Sequence, residues 1–173
     1  MNLSNLTIHD ETAEDYAAVH TINRLAFDRA EEADLVDAVR AMSESLISLV
    51  ALMGEEPVGH ILFSPVKVHC ESGSAGAMGL GPVAVLPDYQ RQGIGSRLIE
   101  VGLQRCRQAG NGVVFVLGHP DYYPRFGFRP ASEGGFFYKN HEFDPYFFVL
   151  EIEPGSTGKL SGEVRYLPPF EEA

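Results

Sequence analysis

At 173 residues, 45% of them hydrophobic, the chain is long enough to bury one sizeable core and needs no second domain to do so. With 13 Lys and Arg against 24 Asp and Glu, the formal net charge is −11, so the electrostatic footprint of a nucleic-acid-binding surface is missing and no nucleic-acid partner is expected. Cys70 and Cys106 have neither metal-ligand spacing nor the density of a disulfide scaffold, no apolar run reaches membrane-spanning length, and Met1 to Asp10 lacks the basic and apolar regions of a signal peptide; a cytoplasmic protein with no metal and no membrane contact is expected.

Alternation of Leu6 and Ile8 with polar neighbours predicts a short strand over Asn5 to Asp10, with Thr12 or Asp10 capping the next element. Tyr16, Val19, His20, Asn23 and Phe27 recur with helical period and predict a helix from Ala13 to Phe27. A second helix, Glu31 to Met42, carries the stripe Leu35, Val36, Val39 and Met42, with acids in its first turn and Arg40 near its end, as the dipole prefers. The apolar, β-branched runs Ile47 to Met53 and Pro57 to Val68 flank Gly54-Glu55-Glu56 and read as a hairpin, with Pro65 marking a bend or an edge. Glu71 to Gly81, rich in Gly, Ser and Ala, reads as a hairpin loop running into a Gly-loosened strand.

The run Leu80 to Leu98 then reads as a strand, a tight turn and an amphipathic helix. The first N–H groups of a helix have no intrahelical partner, and the macrodipole adds partial positive charge, so a phosphate is their natural occupant. Gly93 and Gly95 let the backbone approach such a ligand. Arg91 and Arg97 beside the same terminus oppose the dipole unless an anion sits between them. The alternative is a Gly turn entering an ordinary helix, with Asp88 neutralising Arg91. The helix shows Leu98, Ile99, Gly102, Leu103 and Cys106 on one face and Gly110 just beyond its end. Val113 to Leu117 is a buried-strand run, parallel to the strand before the helix. Gly118-His119-Pro120 breaks it. Asp121 is expected to cap a short helix through Phe126, which Gly127 stops. Phe136 to Tyr138, Phe147 to Ile152 and Glu163 to Leu167 are read as strands, and Pro168 to Ala173 as an irregular tail.

Gln90-Arg91-Gln92-Gly93-Ile94-Gly95, the Val83-Ala84-Val85-x-Pro87 strand and Tyr123-Pro124-Arg125-Phe126-Gly127-Phe128 occur in the order and spacing of the GNAT superfamily of N-acetyltransferases, which the chain resembles over nearly its whole length. Glu32 to Val36, Phe63 to Val66 and Tyr122 to Phe128 make it most similar to the YhbS-like predicted N-acetyltransferases. The resemblance implies an α/β (α+β) fold in one domain spanning residues 1–173: a mixed, twisted β-sheet that splays between the strand at Val83 to Val85 and that at Val113 to Leu117, flanked by helices. It implies acetyl-CoA as co-substrate in that V, an amine acceptor as partner, and direct attack in a ternary complex. The strand segment Val83, Ala84 and Val85 would hold the coenzyme, the main chain of Val83 and Val85 meeting the pantetheine arm and the thioester oxygen. Backbone N–H groups from Arg91, Gln92, Gly93, Ile94, Gly95 and Ser96 would hold the pyrophosphate. Tyr123 falls at the family's general-acid position, and Tyr122 reads as packing.

For a lysine-like acceptor of pKa about 10.4, deprotonation at pH 7 costs roughly 4 to 5 kcal/mol, part of which a base or a desolvated site must supply. Candidates for the base are Glu32, His60, His69 and His119, or a water relay. The acceptor wall is expected from the two N-terminal helices and Ala131 to Asp144, where Phe136, Phe137, Tyr138 and His141 cluster; core or a homodimer face are the alternatives for those rings. A dinucleotide oxidoreductase is disfavoured, because Leu98 stands where a third small residue belongs. A non-catalytic acyl-CoA sensor on the same fold stays open.

Overall fold

The computed structural model describes residues 2–70, 73–158 and 160–172. Its strands are β1 (Leu6–Asp10), β2 (Ile47–Met53), β3 (Glu56–Cys70), β4 (Gly73–Val85), β5 (Val113–Leu117), β6 (Arg129–Pro130), β7 (Phe136–Phe137), β8 (Phe147–Glu151) and β9 (Gly162–Arg165); the helices are α1 (Tyr16–Phe27), α2 (Glu31–Met42), α3 (Ile94–Gln108) and α4 (Pro168–Glu172). They build one mixed sheet in the order β1-β2-β3-β4-β5-β8-β6, with β9 beside β3 and β7 beside β9. Among the described residues only the β4/β5 and β7/β9 pairs are parallel.

Period-2 alternation explains how both faces of the sheet are covered. Leu49, Ala51, Ile61 and Phe63 point to α3, meeting Ile94, Leu98 and Ile99, while Val50 and Leu62 point the other way to Val19 of α1 and Val36 and Val39 of α2. Beyond the reach of these helices the sheet is closed by rings: Phe115 stacks on Phe147 at 5.5 Å and meets Phe136 edge-on at 5.1 Å.

Several boundaries differ from the sequence reading. A 3-10 turn, Ala13–Asp15, precedes α1, with the Asp15 carboxylate accepting the Thr12 N–H at 2.8 Å; the buried face of α1 is Val19, Ile22 and Asn23, and Tyr16 and Phe27 are exposed. Glu71 and Ser72, within the expected loop, lie outside the described residues, but Gly73 to Gly81 is part of a continuous strand. Its glycines disfavour a strand in isolation; pairing with β3 from Cys70↔Gly73 to Gly59↔Val85 decides otherwise. Pro65 does sit at a local edge, after the last β2 pair at Phe63 and before β9 joins at Lys67. Asp121 caps nothing: its N–H donates to His119 Nδ1, and Tyr122 begins the 3-10 turn Tyr123–Phe126, which Gly127 ends in the left-handed conformation. Pro168–Glu172 is a short helix rather than an irregular tail, started by two prolines suited to a first turn and anchored where Phe170 meets Tyr166.

Gly102 of α3 lies against the buried Phe63 ring, where a Cβ would overlap the ring edge. Gly102→Ala should therefore cost about 1 to 3 kcal/mol of overpacking against at most about 1 kcal/mol of helix propensity gained. A lowered urea midpoint with unchanged m is the expected outcome, and an unchanged midpoint would mean that the ring moves aside freely.

Candidate active site

Strand β4 carries a bulge. Ile61 pairs with Val83 and Phe63 with Leu80, so Gly81 and Pro82 together oppose Leu62. On the other edge, β4 pairs with β5 only from Met78↔Val114 to Leu80↔Val116, and there the two strands part. Gly81, at φ 143°, allows the kink, and Pro82 has no N–H to continue the ladder. The N–H of Leu86 bonds Val58 O on β3 at 2.9 Å. Strand alternation then turns Ala84 towards β3 and the main-chain groups of Val83 and Val85 towards the open edge. Consistently, the Gln90 side-chain amide donates to Val85 O at 2.8 Å from that side.

The next turn leads into α3. Its N-cap, Gly93, adopts φ 93°, and no side chain caps the helix, so the first N–H groups of Ile94, Gly95 and Ser96 are left for a ligand or solvent. Arg91, exposed, is held at φ 64°, a conformation that costs a non-glycine residue on the order of 1 kcal/mol. Among the described residues no ion pair joins it to Asp88, and Arg97 pairs loosely with Glu100 at 3.6 Å. The Ile94 side chain is buried in the core beneath, so only its main chain faces the turn. Ser96 Oγ lies 3.1 Å from Tyr122 Oη, a contact the sequence did not suggest, and the Arg125 guanidinium covers the Tyr122 ring at 4.7 Å.

Where β4 and β5 separate lies a cavity of about 430 Å³. Leu80, Gly81, Pro82, Val83, Leu117 and Tyr123 from the strands and the loop after β5 line it together with Phe27, Leu35, Tyr138, Tyr166 and Phe170, and with Arg29 and Glu32. The Tyr123 ring fills the space a Cβ on Gly118 would need and meets Tyr122 and Phe128 edge-on at 5.2 and 5.8 Å. Burial, and secondarily the neighbouring Tyr122, push its phenol up to about 12, so it stays protonated at neutral pH. Tyr138 and Tyr166 are shifted upward by burial as well, and the buried Tyr166 hydroxyl has no hydrogen-bond partner among the described residues.

Of the four side chains nominated as base, only Glu32 reaches this cavity, and Arg29 Nε holds it at 2.5 and 3.0 Å. His60 is fully buried elsewhere. The Asn23 amide nitrogen donates to Val19 O at 3.0 Å and contacts His60 Nδ1 at 3.1 Å, which makes Nδ1 the acceptor and leaves Nε2–H to donate to Ser48 Oγ at 2.8 Å. A histidine so engaged cannot take a proton from Ser48. Burial first, then the Arg40 charge, lower its pKa to about 3. His119 is exposed beside Asp121, and His69 lies on β3 by β9. A larger cavity, about 710 Å³, lies by Glu11, Tyr16 and Arg40. There Arg40 bonds Glu11 at 3.0 and 2.8 Å and covers the Tyr16 ring at 3.9 Å. The aromatic cluster after β6 divides, with Phe136 in the core, Tyr138 on the cavity, and Phe137 against His141.

A strand edge released from β5 thus runs into an uncapped helix N-terminus, with a protonated phenol across the gap. The chain belongs to the GNAT acetyltransferase family: residues 7–131 match its acetyltransferase (GNAT) domain. It is 37% identical over 134 residues to the uncharacterised N-acetyltransferase YjhQ of Escherichia coli K12, covering 76% of this chain and 74% of that protein. To the uncharacterised N-acetyltransferase YhbS of the same strain it is 33% identical over 166 residues, 95% of this chain and 98% of the relative. The crystal structure of Escherichia coli YhbS in complex with CoA superposes with a TM-score of 0.89 at 28% identity, covering 96% and 92% of the two chains. A GNAT acetyltransferase from Brucella melitensis in complex with acetyl-CoA gives 0.79 at 35% identity, covering 95% and 97%.

The neutral, buried His60 carries a pH signature. Its folded pKa is depressed from 6.5 to about 3, so below pH 6.5 the unfolded chain takes up a proton that the native chain refuses, and stability falls as pH drops through that window. Urea unfolding between pH 7 and 4 should show this slope, and His60→Leu should flatten it whatever its absolute stability. An equal slope in both proteins would place the proton uptake on other groups.

Proposed function

We propose that this protein moves the acetyl group of acetyl-CoA to an amine by direct attack within a ternary complex, using the cleft between β4 and β5 in a domain formed by the whole chain. Family membership supports acetyl transfer over mere acyl-CoA sensing. The observation that carries the reading is the protonated Tyr123 in the cavity that opens where the strands part. The N–H groups from Gly93 to Ser96, with the charge of Arg91, receive the pyrophosphate, and Gln92 shapes the turn. Val83 and Val85 offer main-chain groups to the pantetheine arm and the thioester, with Ala84 holding the strand to β3.

The apolar cavity lowers the pKa of an entering amine by desolvation, and Glu32 is the base candidate among its lining residues. Attack on the thioester carbonyl forms the C–N bond, and collapse of the adduct breaks the C–S bond. Full proton transfer from a phenol pushed up to about 12 to a thiolate near 8.5 is uphill by roughly 5 kcal/mol. Tyr123 therefore acts chiefly by donating a hydrogen bond to the departing sulfur, while the proton shed by the amine makes up the net balance. No helix among the described residues is long and apolar enough to cross a membrane.

Tyr123→Phe keeps the ring and removes the donor. It should lower kcat by roughly 10²-fold or more at unchanged acetyl-CoA affinity and unchanged denaturant midpoint. Gly93→Asp is the complementary change, placing a side chain and a negative charge at the helix entrance. By titration calorimetry it should abolish acetyl-CoA binding while circular dichroism stays native. Near-normal kcat in the first variant removes the donor role, and normal affinity in the second removes the cradle.

A further inference from the structure

The cavity where β4 and β5 part is lined for a particular kind of amine. Among the described residues lining it, the charged ones are Arg29 and Glu32, and these neutralise each other at 2.5 Å. The wall that the helices and C-terminal segments contribute is aromatic or aliphatic: Phe27 and Leu35 from α1 and α2, Tyr138 and Tyr166 edge-to-face at 5.5 Å, and Phe170 from α4 packed on Tyr166. Lys139 Nζ lies 5.2 Å over the Tyr138 ring, and Glu171, behind the wall, accepts the Tyr166 N–H at 3.0 Å.

Resting on the acetyl-transfer reading above, we propose that the acceptor is a small monoamine with an apolar, preferably aromatic, body rather than a polyamine, an aminoglycoside or a protein lysine. Three physical reasons converge. At about 430 Å³, part of it taken by the acetyl end of the coenzyme, the cavity suits a small molecule rather than a bulky one. A polycation would bring two or more ammonium groups to a wall that offers one carboxylate already engaged by Arg29, with Lys139 adding repulsion, and each unpaired charge moved out of water is costly. A single ammonium needs less, since aromatic faces attract it and desolvation among them eases the loss of its proton. The apolar body, in turn, displaces water from the rings, and that burial supplies the affinity.

The test uses the full chain with acetyl-CoA and a panel of phenethylamine, tryptamine, cyclohexylamine, spermidine, kanamycin and a lysine-containing peptide, read as CoA thiol release. In parallel, phenethylamine and spermidine are titrated calorimetrically into CoA-saturated protein. The expected result is a kcat/KM at least ten-fold higher for the apolar monoamines than for the polycations and the peptide. Phe170→Ala should raise the KM for phenethylamine several-fold without changing the KM for acetyl-CoA. Preferred turnover of spermidine, kanamycin or the peptide overturns this acceptor class and leaves acetyl transfer standing. No thiol release with any amine, but tight phenethylamine binding to the CoA-saturated protein, overturns acetyl transfer and retains the pocket's selectivity. Absence of both turnover and phenethylamine binding overturns both.

Discussion

One interruption in hydrogen bonding, the bulge at Gly81-Pro82, is the constraint on which the site depends. A central strand ordinarily has both edges paired, and β4 does so from Met78 to Leu80. Beyond the bulge it keeps β3 but loses β5, and the loss turns main-chain groups of Val83 and Val85 to an edge that no strand covers, where the Gln90 side chain meets Val85 O. Unpaired backbone groups of this kind are costly unless solvent or a ligand meets them. The same divergence opens the cavity and leaves room for Tyr123, whose ring occupies the space that only glycine at 118 permits. Strand edge, cavity and phenol are thus consequences of one local irregularity.

The two ends of the cleft use opposite electrostatics. At the α3 terminus, uncapped N–H groups and Arg91 present positive potential to solvent, where a phosphate can meet them. In the cavity, rings and aliphatic side chains exclude water, so that titrations shift: phenols rise, and an amine entering there loses its proton more readily. A long, doubly natured co-substrate, anionic at one end and apolar at the other, suits that gradient. Elsewhere the protein spends polar groups on order instead. Asn23, His60 and Ser48 form a buried chain between α1, β3 and β2, and Arg40 with Glu11 closes the surface beside it.

The elements read most securely from sequence are those whose pattern and punctuation agree. Helix α2 has the predicted bounds, because a clean apolar stripe, acidic first turn and basic last turn all point one way. Helix α3 ends where Gly110, at φ 85°, was expected to lie just outside it. The reading weakened where glycine suggested a loop that long-range pairing made a strand, as in β4, and where a run was too short to show a period, as in β6 and the 3-10 turns. Glu32 could be nominated from sequence as readily as His60. Only packing separated them, placing one on the cavity and the other in the core.

By itself the sequence determined the family, the turn between β4 and α3, and the place of Tyr123 in its short segment, because each rests on local order: the succession of residues, their spacing and their backbone freedom. The tertiary structure alone decided what surrounds them. Phe27, Tyr138 and the pair Tyr166 and Phe170 come from three separate parts of the chain; they meet because the two N-terminal helices and the C-terminal segments converge on one gap in the sheet. Tyr122 likewise acquired a partner in Ser96 only when the loop after β5 folded over the start of α3. Local chemistry is written along the chain, whereas a cavity is a property of surfaces brought together from a distance, which is why the sequence pointed to the N-terminal helices and Tyr138 but not to Tyr166 and Phe170.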